Sequence, residues 1–151
     1  MKKNVEKLLN TIKKFNPKAD TDIVALAYDF AEKAHEGQKR MSGEPYIIHP
    51  LAAAQILAEM NVHTNIIVAA LLHDVPEDTD VSIATIEQNF GADVASMVAG
   101  ITKLGKIKYR GVERYIENLR KMFVAMAEDA RVILIKCADR LHNLQTLEAL
   151  P

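Results

Sequence analysis

The chain has 151 residues, 49% of them hydrophobic, enough to build one domain around its own core and too few for two. Its 19 Lys and Arg against 20 Asp and Glu leave a formal charge of -1, which excludes a general positive field for gripping nucleic acid and confines any phosphate binding to a local patch. Cys137 is the only cysteine, so no intrachain disulfide forms, and no apolar run reaches the roughly 18 residues of a membrane span, so a reducing cytoplasm without a membrane partner is expected.

Val5, Leu8, Leu9, Ile12 and Phe15 recur at helical spacing, and Asn16-Pro17 closes this first helix because the residue before proline avoids the α region. Asp20, Thr21 or Asp22 can cap a second helix with Ile23, Ala27, Phe30, Ala31 and Ala34 on its apolar face, ending at His35-Glu36-Gly37. Gly43 and Pro45 break the period over residues 38 to 48, which read as a structured loop. A third helix begins at His49-Pro50 and carries Leu51, Ala54, Ile56, Leu57 and Met60, and Thr64 caps a fourth.

The fourth helix is apolar on nearly every side from Ile66 to Leu72, as a central helix should be. Ser82 starts a short helix ending near Gly91, and Ala92 to Leu104 continues with Val94, Met97, Val98 and Ile101 on one face. A basic connector containing Lys103, Lys106, Lys108 and Arg110 follows, then amphipathic patterns from Val112 to Met126 and from Ala130 to Leu150. Met97, Met122 and Met126 fall at core positions, and the apolar flanks of Cys137 predict a buried thiol. With no strand pair or internal repeat, the expectation is an all-α bundle of roughly seven to eight helices, folded as a single domain over residues 1–151.

The chemistry concentrates at Leu71-Leu72-His73-Asp74-Val75-Pro76-Glu77-Asp78-Thr79, where a buried helix delivers an imidazole and a carboxylate together and two more acids follow. One His-Asp pair is a weak motif, since most copies are surface or capping residues. Here His49, opening one helix, and Asp139, inside Lys136-Cys137-Ala138-Asp139-Arg140-Leu141-His142-Asn143, are candidate partners. Two neutral imidazoles and two carboxylates cancel the charge of a divalent cation, and the mixed nitrogen and oxygen donors suit Mn, Fe or Zn better than Ca or Mg. A polyanionic substrate at such an acidic place needs nearby cations, which Lys39 and Arg40 supply. His35 and His142 read as hydrogen-bonded structural residues, and His63, before a helix cap, as exposed.

His49-Pro50, His73-Asp74 with Glu77-Asp78-Thr79, and Ala138-Asp139-Arg140-Leu141-His142-Asn143 together resemble the HD-superfamily hydrolase domain of RelA/SpoT homologues, which degrade (p)ppGpp. His35-Glu36-Gly37-Gln38-Lys39-Arg40, Ser42-Gly43-Glu44-Pro45-Tyr46, Gly100-Ile101-Thr102-Lys103-Leu104 and Asn118-Leu119-Arg120-Lys121-Met122 extend the likeness over about residues 20 to 150. The resemblance implies an HD-domain bundle in which His49, His73, Asp74 and Asp139 hold Mn2+ and Glu77 and Asp78 are the catalytic acids. It places Arg40 against the guanine base, with Ser42, Asn143 and Thr146 lining the nucleotide pocket. The implied reaction removes the 3′-pyrophosphate of ppGpp or pppGpp, leaving GDP or GTP.

Two positions depart from the family pattern: Pro76 stands where an aliphatic residue is usual, and Met41 where a second basic residue commonly follows the arginine. The resemblance also implies that the synthetase and regulatory domains of long family members, and the last hydrolase helices, fall outside residues 1–151. The chain is then a small stand-alone hydrolase or the hydrolase portion of a bifunctional enzyme. The alternatives are an HD phosphohydrolase acting on another nucleotide such as NADPH, and a non-catalytic nucleotide-binding regulatory module.

Overall fold

The computed structural model describes residues 2–105, 116, 117, 119, 120, 123 and 129–146. Eight helices are bounded among them: α1 (Lys2–Phe15), α2 (Thr21–Ala34), α3 (Ile48–Glu59), α4 (Thr64–Leu72), α5 (Val75–Asp78), α6 (Ile83–Phe90), α7 (Ala92–Gly105) and α8 (Ala130–Gln145). The only β geometry among the described residues is an isolated antiparallel bridge between Lys39 and Pro45, so the all-α expectation holds. Lys106, Lys108 and Arg110 of the basic connector, Met122 and Met126 lie outside the described residues, as does part of the expected helix 112–126, of which Ile116, Glu117, Leu119, Arg120 and Phe123 are helical.

Local chemistry sets most helix ends. Asp20 Oδ1 accepts from the Asp22 and Ile23 amides at 3.0 and 3.4 Å, Ser82 Oγ from the Thr85 amide at 3.2 Å, and Asp129 Oδ1 from the Arg131 amide at 3.0 Å. Two expected ends shift. The cap of α4 is His63, not Thr64: the extended backbone, φ −60° and ψ 144°, falls on His63, and its Nδ1 accepts from the Asn65 amide at 3.1 Å. Helix α2 stops at Ala34, with Gly37 taking the left-handed φ of 83° in the turn beyond.

Helix α4 is the axis of the bundle. All seven residues from Ile66 to Leu72 are buried, and α2, α3, α7 and α8 all pack against it. Fully burying a side chain such as Ile67, Leu71 or Leu72 contributes about 1.5–3 kcal/mol, so the C-terminal end of α4 is strongly anchored. Met97 is buried as expected. Cys137 is not: Ile135, Ala138 and His142 form the inward stripe of α8, and Cys137, two residues and about 200° beyond Ile135, faces solvent.

The approach of α7 to α8 depends on Gly100, where an added Cβ would stand 2.8 Å from Val132 Cγ2. Arg131, at the start of α8, pairs with both oxygens of Asp93 on α7 at 2.8 and 2.9 Å and with Asp129 at 2.8 and 2.9 Å. These hydrogen bonds hold Asp129 below its ordinary value and Asp93, helped also by Asn65, down to about 2.

Gly100→Ala is expected to lower stability by about 1 kcal/mol, because overpacking costs about 1–3 kcal/mol and the helical propensity gained returns only about 1. In a Val132→Ala background the same change becomes stabilising; urea unfolding of the four proteins checks the reversal. For Arg131→Met the loss is under about 1 kcal/mol at pH 7, since all three partners are partly solvated. Both carboxyls are depressed, so their contribution is complete above the unfolded value of about 3.9 and disappears as pH falls toward about 2. Wild type and Arg131→Met melting temperatures therefore converge over that window.

Candidate metal centre

Four side chains from two helices and one link converge at the end of α4. His49 is the second residue of α3, Asp139 lies mid-way along α8, and His73 and Asp74 form the two-residue link between α4 and α5. One ligand atom from each lies within 4.8 Å of all the others, with His49, His73 and Asp139 buried and Asp74 half-buried. Asp139 Oδ1 sits 2.5 Å from His49 Nε2 and 3.3 Å from His73 Nε2, while Asp74 Oδ2 sits 3.2 Å from His73 Nε2 and 3.9 Å from His49 Nε2.

The link exists because α4 cannot run on. Asp74 turns to φ −90° and ψ −8°, and Pro76, in the first turn of α5, needs no amide donor there. Asp78 and Thr79 amides still reach the Asp74 and Val75 carbonyls at 2.9 and 3.0 Å. Pro76 therefore starts a helix, and Asp74, with no capping bond to make, is free to turn its carboxylate to the imidazoles.

Hydrogen bonding gives His73 a defined face. Its Nδ1 donates to the Ala70 carbonyl at 2.5 Å, which leaves Nε2 turned to Asp74 and Asp139. Burial opposes charge on this ring, but the Asp74 carboxylate and the Asp139 hydrogen bond outweigh it and push its pKa up to about 10. Burial likewise works against ionisation of Asp74, yet His73 and the Tyr46 hydroxyl, donating to Oδ2 at 2.7 Å, bring it down to about 2. Asp139 is held well below the carboxylate range against its own burial by hydrogen bonds to His49 and His73. The site is thus two ionised carboxylates demanding positive charge between two imidazoles.

That donor set fits a divalent cation. With an ion in place of the Nε2 protons, two neutral imidazoles and two carboxylates would balance a 2+ charge, and His73 already gives its second nitrogen to a backbone carbonyl, as metal-bound histidines do. Separations of 3.2, 3.3 and 3.9 Å are those of donors sharing one ion at about 2 Å; only the 2.5 Å pair is closer than two such ligands sit.

Glu77 and Asp78 project from α5 beside this cluster, and both are exposed. Partial burial and the negative charge of Asp74 raise both above their ordinary values. The loop from 38 to 46 closes as a tight hairpin, with the Arg40 amide on the Glu44 carbonyl at 2.9 Å and Gly43 at φ 87°. It aims Arg40 inward, where Nη2 donates to Asn143 Oδ1 at 3.0 Å and Nη1 reaches His142 Nδ1 at 3.1 Å.

The remaining expected residues are spread more widely. Lys39 is exposed, Ser42 is exposed with its hydroxyl 3.5 Å from Glu44, and the Thr146 hydroxyl donates back to the His142 carbonyl at 3.1 Å. His142 is pulled down to about 4 by burial and by His49 and Arg40, and lies 2.7 Å from His49 through the two Nδ1 atoms. His35 donates from Nδ1 to Gln38 Oε1 at 3.0 Å. A concavity lined by Asp29, Glu32, Lys33, His35, Gln38 and Tyr46 contains none of the four clustered residues.

Three supporting residues had no role in the sequence reading. Tyr46 orients Asp74, Gln38 Nε2 donates to the Asp78 carbonyl at 2.8 Å and so ties down the end of α5, and Lys136 Nζ sits 3.3 Å from Asp139 Oδ2. Tyr46 and Gln38 stand in motifs already noted, which was the available signal, and Lys136 stands one helical turn before Asp139.

Comparison with known proteins bears on the same residues. The bifunctional (p)ppGpp synthase/hydrolase SpoT of Escherichia coli K12 is 51% identical over 146 residues, 96% of this chain and 21% of that protein. The guanosine-3′,5′-bis(diphosphate) 3′-pyrophosphohydrolase of Vibrio cholerae is 53% identical over 130 residues, 85% of this chain and 18% of its own length. The chain thus spans about a fifth of the length of these relatives. A solved structure described as a metazoan ortholog of SpoT that hydrolyzes ppGpp and plays a role in starvation responses superposes with a TM-score of 0.70 at 30% identity, covering 87% of this chain and 73% of that one. Residues 27–151 match the HD domain family, the match takes in all four clustered residues, and the chain belongs to that family.

Proposed function

We propose that this chain is a metal-dependent (p)ppGpp 3′-pyrophosphohydrolase that works with Mn2+ in the cytoplasm and releases GDP or GTP and pyrophosphate. The observation that carries the reading is the meeting of His49, His73, Asp74 and Asp139 within 4.8 Å, with Glu77 and Asp78 one helical turn farther along the chain. Relatives carry names for both synthesis and hydrolysis of the pyrophosphate linkage. A cluster of acids and imidazoles flanked by proton-accepting carboxylates suits hydrolysis, in which water must lose a proton as it attacks phosphorus.

In this reading His49, His73, Asp74 and Asp139 hold the ion. When bound, the ion makes water more acidic and offsets charge on a phosphoryl oxygen. Glu77 or Asp78 takes the proton of the attacking water, a task favoured by carboxyls that sit above their ordinary range. The water oxygen joins phosphorus, the bond from phosphorus to the 3′ oxygen breaks, and that oxygen leaves as a hydroxyl once it gains a proton. Tyr46 keeps Asp74 turned to the ion throughout.

Arg40 takes the guanine base, with Ser42, Asn143 and Thr146 around the nucleotide. Its guanidinium is already held at the cluster's edge by Asn143, and an arginine fork both stacks on a base and donates to it. Lys39, exposed beside it, adds positive charge for the polyphosphate. Met41, 67% exposed at the tip of the same loop, leaves this side of the pocket with one cation fewer than the family pattern. In this reading the substrate is a small nucleotide.

With Mn2+ added, the chain is expected to cleave ppGpp to GDP and pyrophosphate, and a chelator to abolish turnover until Mn2+ is restored. Glu77→Gln should lower kcat by about 10²–10⁴-fold with Mn2+ affinity unchanged. Asp74→Asn should weaken Mn2+ binding by at least about 100-fold. Intact ppGpp beside rapid cleavage of NADPH would reject the proposal in favour of another nucleotide. Tight binding of ppGpp without turnover would reject it in favour of a regulatory module.

A further inference from the structure

Four carboxyls, Asp74, Glu77, Asp78 and Asp139, stand together where a polyphosphate has to approach. A divalent ion offsets two of those charges, so an arriving polyanion still meets repulsion unless a fixed cation stands among the acids. Arg40 is turned to His142 and Asn143, and Lys39 lies exposed on the hairpin. Lys136 is placed differently. Its Nζ sits 3.3 Å from Asp139 Oδ2, across a single carboxylate from the oxygen that meets His49 and His73.

Lys136 is one helical turn before Asp139 on α8, so both side chains share one edge of that helix. The lysine side chain is 27% exposed against 9% for Asp139, which puts the ammonium on the solvent side of the carboxylate. An ammonium has three N–H donors and no acceptor. Asp139 is its one direct partner among the described residues, so at least two donors are uncommitted. The same charge also acts on Glu77, where it works against the rise caused by burial and Asp74. The ammonium is therefore within reach of both a carboxylate of the cluster and the acid beside it.

We propose that Lys136 is a catalytic residue of the hydrolase reaction, its Nζ donating to a non-bridging oxygen of the phosphoryl group under attack. It supplies charge and not a proton. The water oxygen joins phosphorus, the bond to the 3′ oxygen breaks, and the water proton goes to Glu77 or Asp78. The equatorial phosphoryl oxygens carry the negative charge in that state, and a donor already in place there stabilises it more than water does. The inference rests on the reaction proposed above, but its test needs no turnover.

The test is calorimetric titration of inorganic phosphate into the Mn2+-loaded full chain, phosphate being too weak a chelator to strip the ion, with Mn2+ affinity measured first on each protein. Lys136→Gln still offers Asp139 a donor but carries no charge. It is expected to lose about 10–100-fold in phosphate affinity, as removal of a charged hydrogen-bond donor does, while binding Mn2+ at least as tightly as wild type. Lys136→Arg should keep phosphate binding, since a guanidinium also donates to phosphate. With ppGpp, Lys136→Gln should lower kcat by about 10²–10³-fold and Lys136→Arg should restore most of it.

A measurement on the wild type keeps the idea testable if Lys136→Gln fails to fold: phosphate should slow acetylation of Lys136, read by mass spectrometry, and leave exposed Lys33 at its ordinary rate. Unchanged phosphate affinity in Lys136→Gln overturns the proposal, as does acetylation of Lys136 indifferent to phosphate. A loss of Mn2+ affinity as large as the loss of phosphate affinity also overturns it, because Lys136 would then only support the metal centre. Phosphate binding that depends on Lys136 in a chain that leaves ppGpp intact would sink the hydrolase reading and keep the phosphate contact. A wild type that takes up no Mn2+ rejects both.

Discussion

Asp139 brings a negative charge into a nearly dry interior, where an unpaired carboxylate is several kcal/mol less stable than in water. It is tolerated because Oδ1 meets the Nε2 atoms of two imidazoles and Oδ2 meets Lys136 at 3.3 Å. Those imidazoles arrive on different elements, so the compensation works only while α3, α4 and α8 keep their positions. The apolar girth of α4 and the Gly100 contact between α7 and α8 are in that sense part of the polar site. A shift of one helix by a fraction of a turn would leave a buried charge unpaired, a larger penalty than the loss of any one apolar contact.

The interruption after Leu72 does a second job. On a continuous helix His73 and Asp74 would point about 100° apart and Glu77 would stand one turn above His73. The link lets His73 and Asp74 face one point, and α5 beyond it leaves Glu77 and Asp78 exposed, with Gln38 holding the Asp78 carbonyl. Proline suits the first turn of α5 for the reason it is excluded from a helix interior, its missing donor. Its presence at 76 where an aliphatic residue is usual in the family is thus compatible with the observed path of the chain.

The helices were legible because apolar periodicity is a local property, and so were the caps at Asp20 and Ser82. The approximate positions of the clustered residues were legible from motifs, whereas their meeting point was not, because it is set by packing between residues up to 90 apart in sequence. Tyr46 with Asp74 and Gln38 with Asp78 are partners across 28 and 40 residues, and a hydrogen bond over that distance leaves no spacing to read. Cys137 shows the opposite error: apolar neighbours in sequence suggested burial, but the buried stripe of α8 runs through Ile135, Ala138 and His142, and the residues sharing the face of Cys137, Ile133, Leu134, Arg140 and Leu141, are themselves half-buried or exposed. His63 escaped as a cap because an imidazole acceptor is an uncommon substitute for the hydroxyl beside it.

Residues 74 to 78 hold three carboxyls whose environments drive them apart. Asp74 is stabilised as an anion by His73 and Tyr46, while Glu77 and Asp78 feel partial burial and the field of Asp74 itself and are raised. The first is suited to remain charged over the whole physiological range, as a group that holds a cation must. The other two exchange protons more readily than ordinary carboxylates, as a group that handles water must. In the proposed reading the one negative charge contributes twice, once in binding the ion and once by raising its neighbours. A substitution that neutralises Asp74 acts on both, so the two proposed roles are better separated through Glu77, which leaves that charge in place.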